Sequence, residues 1–173
     1  MMGLFDKLLG KGSKPESISV VTDKNTLYLP IEGEVIPLEQ IGDGVFSAEI
    51  LGPGCGIVPN EGIVYAPANG EITQVADTKH AVGLMTEDGI EVLIHVGMDT
   101  VEMNGEGFLV LTQTGAKVKC GQPLLTFSAD KIKAAGHPTT TAFVITNSDD
   151  FNGLTVLGNG SMSKLSSVIK VTK

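Results

Sequence analysis

Two histidines, His80 and His95, bracket two β-rich runs separated at Asp88-Gly89. Imidazole titrates near pH 6.5, so at neutral pH it can serve as nucleophile, proton carrier or metal ligand. Whether these two act together depends on the chain between them. Asp-Gly between two β-rich runs favours a two-residue type I′ hairpin turn. That turn sets Glu87 opposite Ile90 and His95 opposite Val82. His80 then shares a face with Val82 and is a diagonal neighbour of His95, about 7–8 Å away between Cα atoms. A slip of one residue would send the rings to opposite faces, so the pairing rests on the turn.

The same alternation adds Thr78 beside His80, and Asp99 beside His95 if the strand runs on through Gly97. Thr78, His80, His95 and Asp99 form a set suited to two chemistries. Imidazoles and a carboxylate can ligate zinc. Alternatively, one histidine can carry a phosphoryl group while the second donates a hydrogen bond to it and the hydroxyl orients that second ring. Spacing alone is equally compatible with two unrelated surface histidines. His137, in Ala-Gly-His-Pro-Thr, has no partner in sequence and reads as structural.

The elements that must hold this set are strands. Short runs rich in Val, Ile and Leu predict strands at 18–21, 33–38, 62–65, 70–75, 81–85, 90–96, 108–112, 123–127 and 141–145. Gly, Pro, Asn-Gly and Asp-Gly signals separate them. The regular spacing predicts an all-β, mostly antiparallel sandwich or barrel-like domain. The segment 130–136, stopped by Gly136 and Pro138, is the one internal helical turn expected. Tyr28-Leu-Pro-Ile-Glu-Gly-Glu-Val-Ile-Pro-Leu38 is echoed by Tyr65-Ala-Pro-Ala-Asn-Gly-Glu-Ile-Thr-Gln-Val75, with Tyr, Pro, Gly and Glu in step. The echo predicts two similar strand–turn–strand units about a pseudo-symmetric core.

The 173 residues suit one domain, 18–173, behind an N-terminal tail and linker, 1–17. In the tail, Leu4, Phe5, Leu8 and Leu9 would share a helix face, with Lys7, Lys11 and Lys14 available to anionic lipid. A net charge of −8 argues against nucleic acid as a partner. Cys55 and Cys120 show no C-x-x-C spacing, which fits a reducing cytoplasm. There is no apolar run of membrane-spanning length and no signal-peptide core. These features predict a cytoplasmic monomer, with the tail allowing peripheral contact at the inner membrane face.

The string His95-Val-Gly-Met-Asp-Thr-Val-Glu-Met-Asn-Gly-Glu-Gly-Phe108 resembles the signature around the phosphorylated histidine of glucose-type enzyme IIA proteins of the bacterial sugar phosphotransferase system. Thr78-Lys-His-Ala-Val82 resembles their second-histidine segment, and Tyr65-Ala-Pro-Ala-Asn-Gly-Glu-Ile72 an Ala-Pro-x-x-Gly strand and turn. Gly115–Pro123, Thr139–Asn147 and Gly3–Lys7 are similar to further family segments, so the resemblance runs nearly the whole chain in order.

The resemblance implies a β-sandwich phosphocarrier, loaded by the histidine carrier HPr and discharged to a cysteine of a sugar-specific IIB domain. His95 would be the acceptor, through Nε2, His80 would steady the phosphate, Thr78 would support His80, and Asp99 would lie nearby. Gly44, Val45, Phe46, Ile50 and Leu51 would form an apolar docking face. No cofactor is implied, although His80 and His95 could hold zinc weakly with a partner's carboxylate. Relatives of this kind also regulate permeases and kinases. Ala76, Leu93 and Gly44 depart from the larger residues common at their positions, which implies a shallower docking face.

Three rival readings remain at this level. A zinc hydrolase would use His80, His95 and Asp99, but no H-x-H or H-E-x-x-H occurs. A lipoyl- or biotin-carrier module would need a modified-lysine hairpin motif that is missing. A purely regulatory binding protein is compatible with phosphorylation.

Overall fold

The computed structural model describes residues 15–173, and the amphipathic segment 1–14 lies outside the described residues. The strands are β1 (Thr26–Tyr28), β2 (Gly33–Pro37), β3 (Gly54–Pro59), β4 (Ile63–Tyr65), β5 (Gly70–Val75), β6 (Ala81–Thr86), β7 (Glu91–His95), β8 (Phe108–Val110), β9 (Lys117–Val118), β10 (Pro123–Phe127), β11 (Thr141–Ile145), β12 (Gly153–Val156), β13 (Gly160–Met162) and β14 (Ser167–Thr172). A single α-helix, α1 (Ala129–Ala134), stands among the described residues. Ser128 caps it by accepting from the Lys131 N–H, and Gly136 ends it with a positive φ.

All strand pairs are antiparallel, so the all-β expectation holds. An eight-stranded sheet runs β13-β2-β3-β11-β7-β6-β5-β9, and two three-stranded sheets run β1-β14-β12 and β4-β10-β8. The main core contains Leu27, Ile57, Ile72, Leu84, Ile94, Leu124 and Phe143, all essentially without exposure. β7 alternates as its sequence requires: Val92 and Ile94 enter this core, while Glu91, Leu93 and His95 are only half-buried. β6 reads as a continuous apolar run because it is buried along most of its length.

The sheet order is a palindrome in kind. β2 and β5 each lie second from an edge, outside β3 and β6, and β11 and β7 meet in the middle. The sequence echo sits on the axis between these halves. Tyr28 N–H donates to the Pro67 carbonyl at 2.9 Å, and Tyr65 N–H donates to the Pro30 carbonyl at 2.8 Å. Each unit therefore binds the other through equivalent atoms. Gly33 and Gly70 open β2 and β5 for one shared reason. A Cβ on Gly33 would collide with the Val58 carbonyl oxygen of β3, and one on Gly70 with the Met85 carbonyl oxygen of β6.

Several local expectations are corrected. The segment 18–21 is not a strand; it is extended chain fixed by Ile18 N–H to the Gly121 carbonyl. β1, β3, β9, β12, β13 and β14 were not anticipated. The β6–β7 turn differs too. Thr86 and Ile90 close a three-residue loop, Glu87-Asp88-Gly89, in which Gly89 takes φ 85°. The register becomes Ala81 opposite His95 and Val82 opposite Ile94. Distant groups hold the longer loop: Asp88 Oδ2 accepts from Asn25 N–H, Glu87 N–H donates to the Asn69 carbonyl, and Asn147 bonds both Gly89 and Glu91. Tertiary contacts thus outweigh the two-residue preference of the Asp-Gly pair.

Candidate functional site

His95 ends β7 on a rung between Ala81 of β6 and Ala142 of β11. The two small neighbours leave the imidazole room between the strands. On this outer face, Leu38, Phe46, Met98, Ala142 and Val144 form a second, smaller apolar cluster, with Leu93 packed against it. The Phe46 and His95 ring centroids are 4.9 Å apart, tilted by 50°.

Two residues past the end of β7 the chain bends at Gly97, whose φ is 74°. Thr100 wedges this bend, with its hydroxyl donating to the Val96 carbonyl at 2.6 Å, and leaves no space for a side chain at Gly97. The bend turns the Gly97 carbonyl toward His95 Nδ1, at 2.9 Å. A carbonyl can only accept, so Nδ1 carries the proton and the neutral ring keeps a free lone pair on Nε2.

His80 arrives by a route the alternation argument did not contain. It precedes β6, in a tight turn closed by Lys79 N–H to the Ala76 carbonyl, and Lys79 has φ 68°. Strict alternation stops at the strand end, so the one-residue register change that would have parted the rings does not bind His80. Its backbone still joins the ladder through Val96 N–H to the His80 carbonyl, 2.8 Å. The two imidazoles meet edge to face, with centroids 4.7 Å apart and planes at 84°. His80 is only 6% exposed, and Phe108 backs it at 6.5 Å. Thr78 Oγ1 lies 2.9 Å from His80 Nδ1. When that hydroxyl donates, His80 Nε2 carries a proton available to an oxyanion.

Burial pushes His95 down to about 4, aided by the neighbouring His80; the Gly97 carbonyl and, more weakly, Asp43 oppose the shift. Burial also lowers His80, and hydrogen bonding to the Thr78 backbone opposes this. Both rings are therefore neutral near pH 7, the state a nucleophile needs.

Asp99 does not extend β7. It is exposed, has φ 60°, and precedes the 3-10 turn Thr100–Met103. Among the described residues no group of three or more His, Cys, Asp or Glu side chains is placed to hold a metal. Two imidazoles leave a tetrahedral zinc ion short of ligands.

On the loop between β2 and β3, Gly44, Val45, Ile50 and Leu51 are exposed, Ile50 most of all at 68%. Phe46 differs from its expected companions: at 5% exposure it is a wall of the His95 site rather than open surface. Gly97, Phe108 and Asp43 escaped sequence reasoning. For Asp43 a signal existed, since Asp is a preferred cap for a following turn.

Comparisons with known proteins agree with this fold. The family described as phosphoenolpyruvate-dependent sugar phosphotransferase system, EIIA 1, matches residues 25–151. The chain is 39% identical over 170 residues to a glucose-specific EIIA component of the phosphotransferase system from Bacillus cereus, covering 98% of this chain and 99% of that one. It is 42% identical over 148 residues to a beta-glucoside-specific EIIBCA component from Bacillus subtilis, covering 86% of this chain and 24% of that longer protein. The solved glucose permease IIA from Mycoplasma capricolum superposes with a TM-score of 0.78 at 26% identity, covering 88% of this chain and 99% of that one. With a matching fold, a matching family and two neutral histidines edge to face, the chain belongs to the glucose-type EIIA family, whose members are phosphotransferase components of sugar uptake.

Proposed function

We propose that His95 accepts a phosphoryl group on Nε2 from phosphorylated HPr and passes it to the cysteine of a sugar-specific IIB domain. The observation that carries this reading is the bond from His95 Nδ1–H to the Gly97 carbonyl, because it fixes which nitrogen is free. In the first step the donor's N–P bond breaks as a bond from His95 Nε2 to phosphorus forms. The Nδ1 proton stays on the ring, and the Gly97 carbonyl stabilises the positive charge the ring gains. His80 Nε2–H, held out by Thr78, donates to a phosphoryl oxygen. In the second step the Nε2–P bond breaks, an S–P bond forms on the acceptor thiolate, and His95 returns to its neutral form. Exposed Val45, Ile50 and Leu51 would meet apolar surface on both partners. The match to part of a longer EIIBCA protein is consistent with a IIB partner.

No helix among the described residues is long and apolar enough to cross a membrane. Work at the cytoplasmic face, with the 1–17 tail on anionic lipid, belongs to this proposal. The test is incubation with phosphoenolpyruvate, enzyme I and HPr, followed by mapping of acid-labile phosphate. Label on His95 is the expected result; label on His80, or none, overturns the assignment.

A further inference from the structure

Asp43 belongs to the long loop between β2 and β3, in the half of the molecule that does not carry His80 and His95. Its carboxylate is fully engaged with backbone. Oδ1 accepts from Val45 N–H at 3.3 Å and Ser47 N–H at 3.0 Å, and Oδ2 accepts from Phe46 N–H at 3.1 Å. Ser47 Oγ accepts in return from Gly44 N–H at 3.0 Å. This pattern resembles a capping box but with the return bond shifted by one residue, to Gly44 N–H, and it sits on one turn closed by Glu49 N–H to the Phe46 carbonyl and Ile50 N–H to the Val45 carbonyl. Partial burial raises the Asp43 carboxyl, but the bonds from Ser47, Phe46 and Val45 outweigh it and leave the group below its ordinary value.

The capped turn delivers one buried side chain, Phe46, whose ring stands 4.9 Å from that of His95. His95 thus has two aromatic neighbours within 5 Å, His80 from its own half and Phe46 from the other. His80 is fixed by Thr78 and by the Val96 N–H bond to its own carbonyl. Phe46 lies outside every strand, and the described bonds that set its turn converge on Asp43 and Ser47.

We propose that Asp43 is a positioning residue for transfer at His95: by capping the turn 44–47 it seats Phe46 against the imidazole and restricts that ring to the orientation in which Nδ1–H meets Gly97 and Nε2 is presented. This rests on the reading of His95 as the phosphoryl acceptor. The competing role for Asp43 is electrostatic, because its carboxylate also acts on His95 through space.

Asp43→Asn removes the charge but keeps most of the cap, since its one amide oxygen can still accept from Val45 and Ser47 N–H and only the bond from Phe46 N–H is given up. Asp43→Ala removes both, and Phe46→Ala supplies the reference state for a missing wall. Two readouts apply: labelling kinetics with phospho-HPr, resolved into kcat and KM, and the NMR shift of the His95 Hε1 proton in unphosphorylated protein, which senses the Phe46 ring current. Asp43→Ala should lower kcat by about tenfold with little change in KM, and move the Hε1 shift toward that of Phe46→Ala. Asp43→Asn should recover the larger part of both. If Asp43→Asn loses as much kcat as Asp43→Ala while its Hε1 shift stays at the wild-type value, the charge is what matters and the proposal is overturned. An Hε1 shift unmoved in Asp43→Ala overturns it as well, whatever the kinetics. Should Asp43→Ala fail to fold, Asp43→Ser against Asp43→Gly makes the same comparison between a capping hydroxyl and none. Absence of label on wild-type His95 would sink the acceptor reading, while the Hε1 shifts would still decide whether Asp43 seats Phe46.

Discussion

In one half of the molecule Val96 N–H donates to the His80 carbonyl at 2.8 Å; in the other half Ile145 N–H donates to the Pro53 carbonyl at 2.8 Å. The next rung pairs Ala81 with His95 in the first and Gly54 with Val144 in the second. The halves share a backbone frame down to individual hydrogen bonds, yet the places of His80 and His95 are taken by Pro53 and Val144. The frame therefore supplies two equivalent positions, and side chains make a site of one. The connecting segments differ as well. Between β5 and β6 a short turn, 76–80, presents His80. Between β2 and β3 the long loop 38–53 reaches across and sets Phe46 on His95. The half without His80 and His95 contributes a wall to the half that has them.

The comparison breaks most sharply at His95. His95→Gln should abolish labelling by phospho-HPr while circular dichroism stays that of the wild type. Label persisting on this variant would mean that the frame holds a second acceptor. His80→Gln should still accept a phosphoryl group but pass it to a IIB domain more slowly by about 100-fold, or about 2.7 kcal/mol of barrier. Rapid-quench transfer assays measure this, and an unchanged rate would remove His80 from the mechanism.

Symmetry itself can be tested in the glycines. Gly33→Ala and Gly70→Ala each drive a Cβ into a facing carbonyl of the neighbouring strand. Each should cost roughly 2–3 kcal/mol, the upper range for overpacking, with nearly equal shifts in urea midpoint. A large inequality would show that the halves are not energetically equivalent.

The smallest effect concerns pH. His95 titrates at about 4 in the folded protein, below its ordinary value of 6.5. Below pH 6.5 the unfolded chain binds a proton that the folded chain refuses, so stability falls as pH drops toward 4. Between pH 7 and 5 this term amounts to about 2 kcal/mol. Comparing the pH dependence of unfolding in wild type and His95→Gln isolates it, since the variant should lose less stability over that interval. Equal losses would place the His95 pKa near its unperturbed value.

Much of this was legible in the chain. Strands β5, β10 and β11 fall within the residues their apolar runs predict, because each run has Gly, Pro or Asn at or within a few residues of one end. The Tyr-Pro-Gly-Glu echo announced the pseudo-symmetric halves, since the close approach at Gly33 and Gly70 forbids any other residue type there. The strands that were missed are short or contain Gly and polar residues, as in β9, β12 and β13, and they pair only because neighbours already in place offer an edge.

The sequence by itself determined the all-β class, the two histidines with Thr78 two residues before His80, and the family resemblance, because local alternation and residue identity carry that information. The meeting of the rings was decided only by tertiary structure. The β6–β7 register differs from the one the turn residues favour, since Asn25, Asn69 and Asn147 tie the loop from far along the chain. Contact between His80 and His95 survives because His80 sits in a turn just outside β6, where alternation no longer applies. The free Nε2 of His95 likewise depends on the bend at Gly97, and the Phe46 wall on a loop from the opposite half, and neither is encoded in the spacing of the histidines.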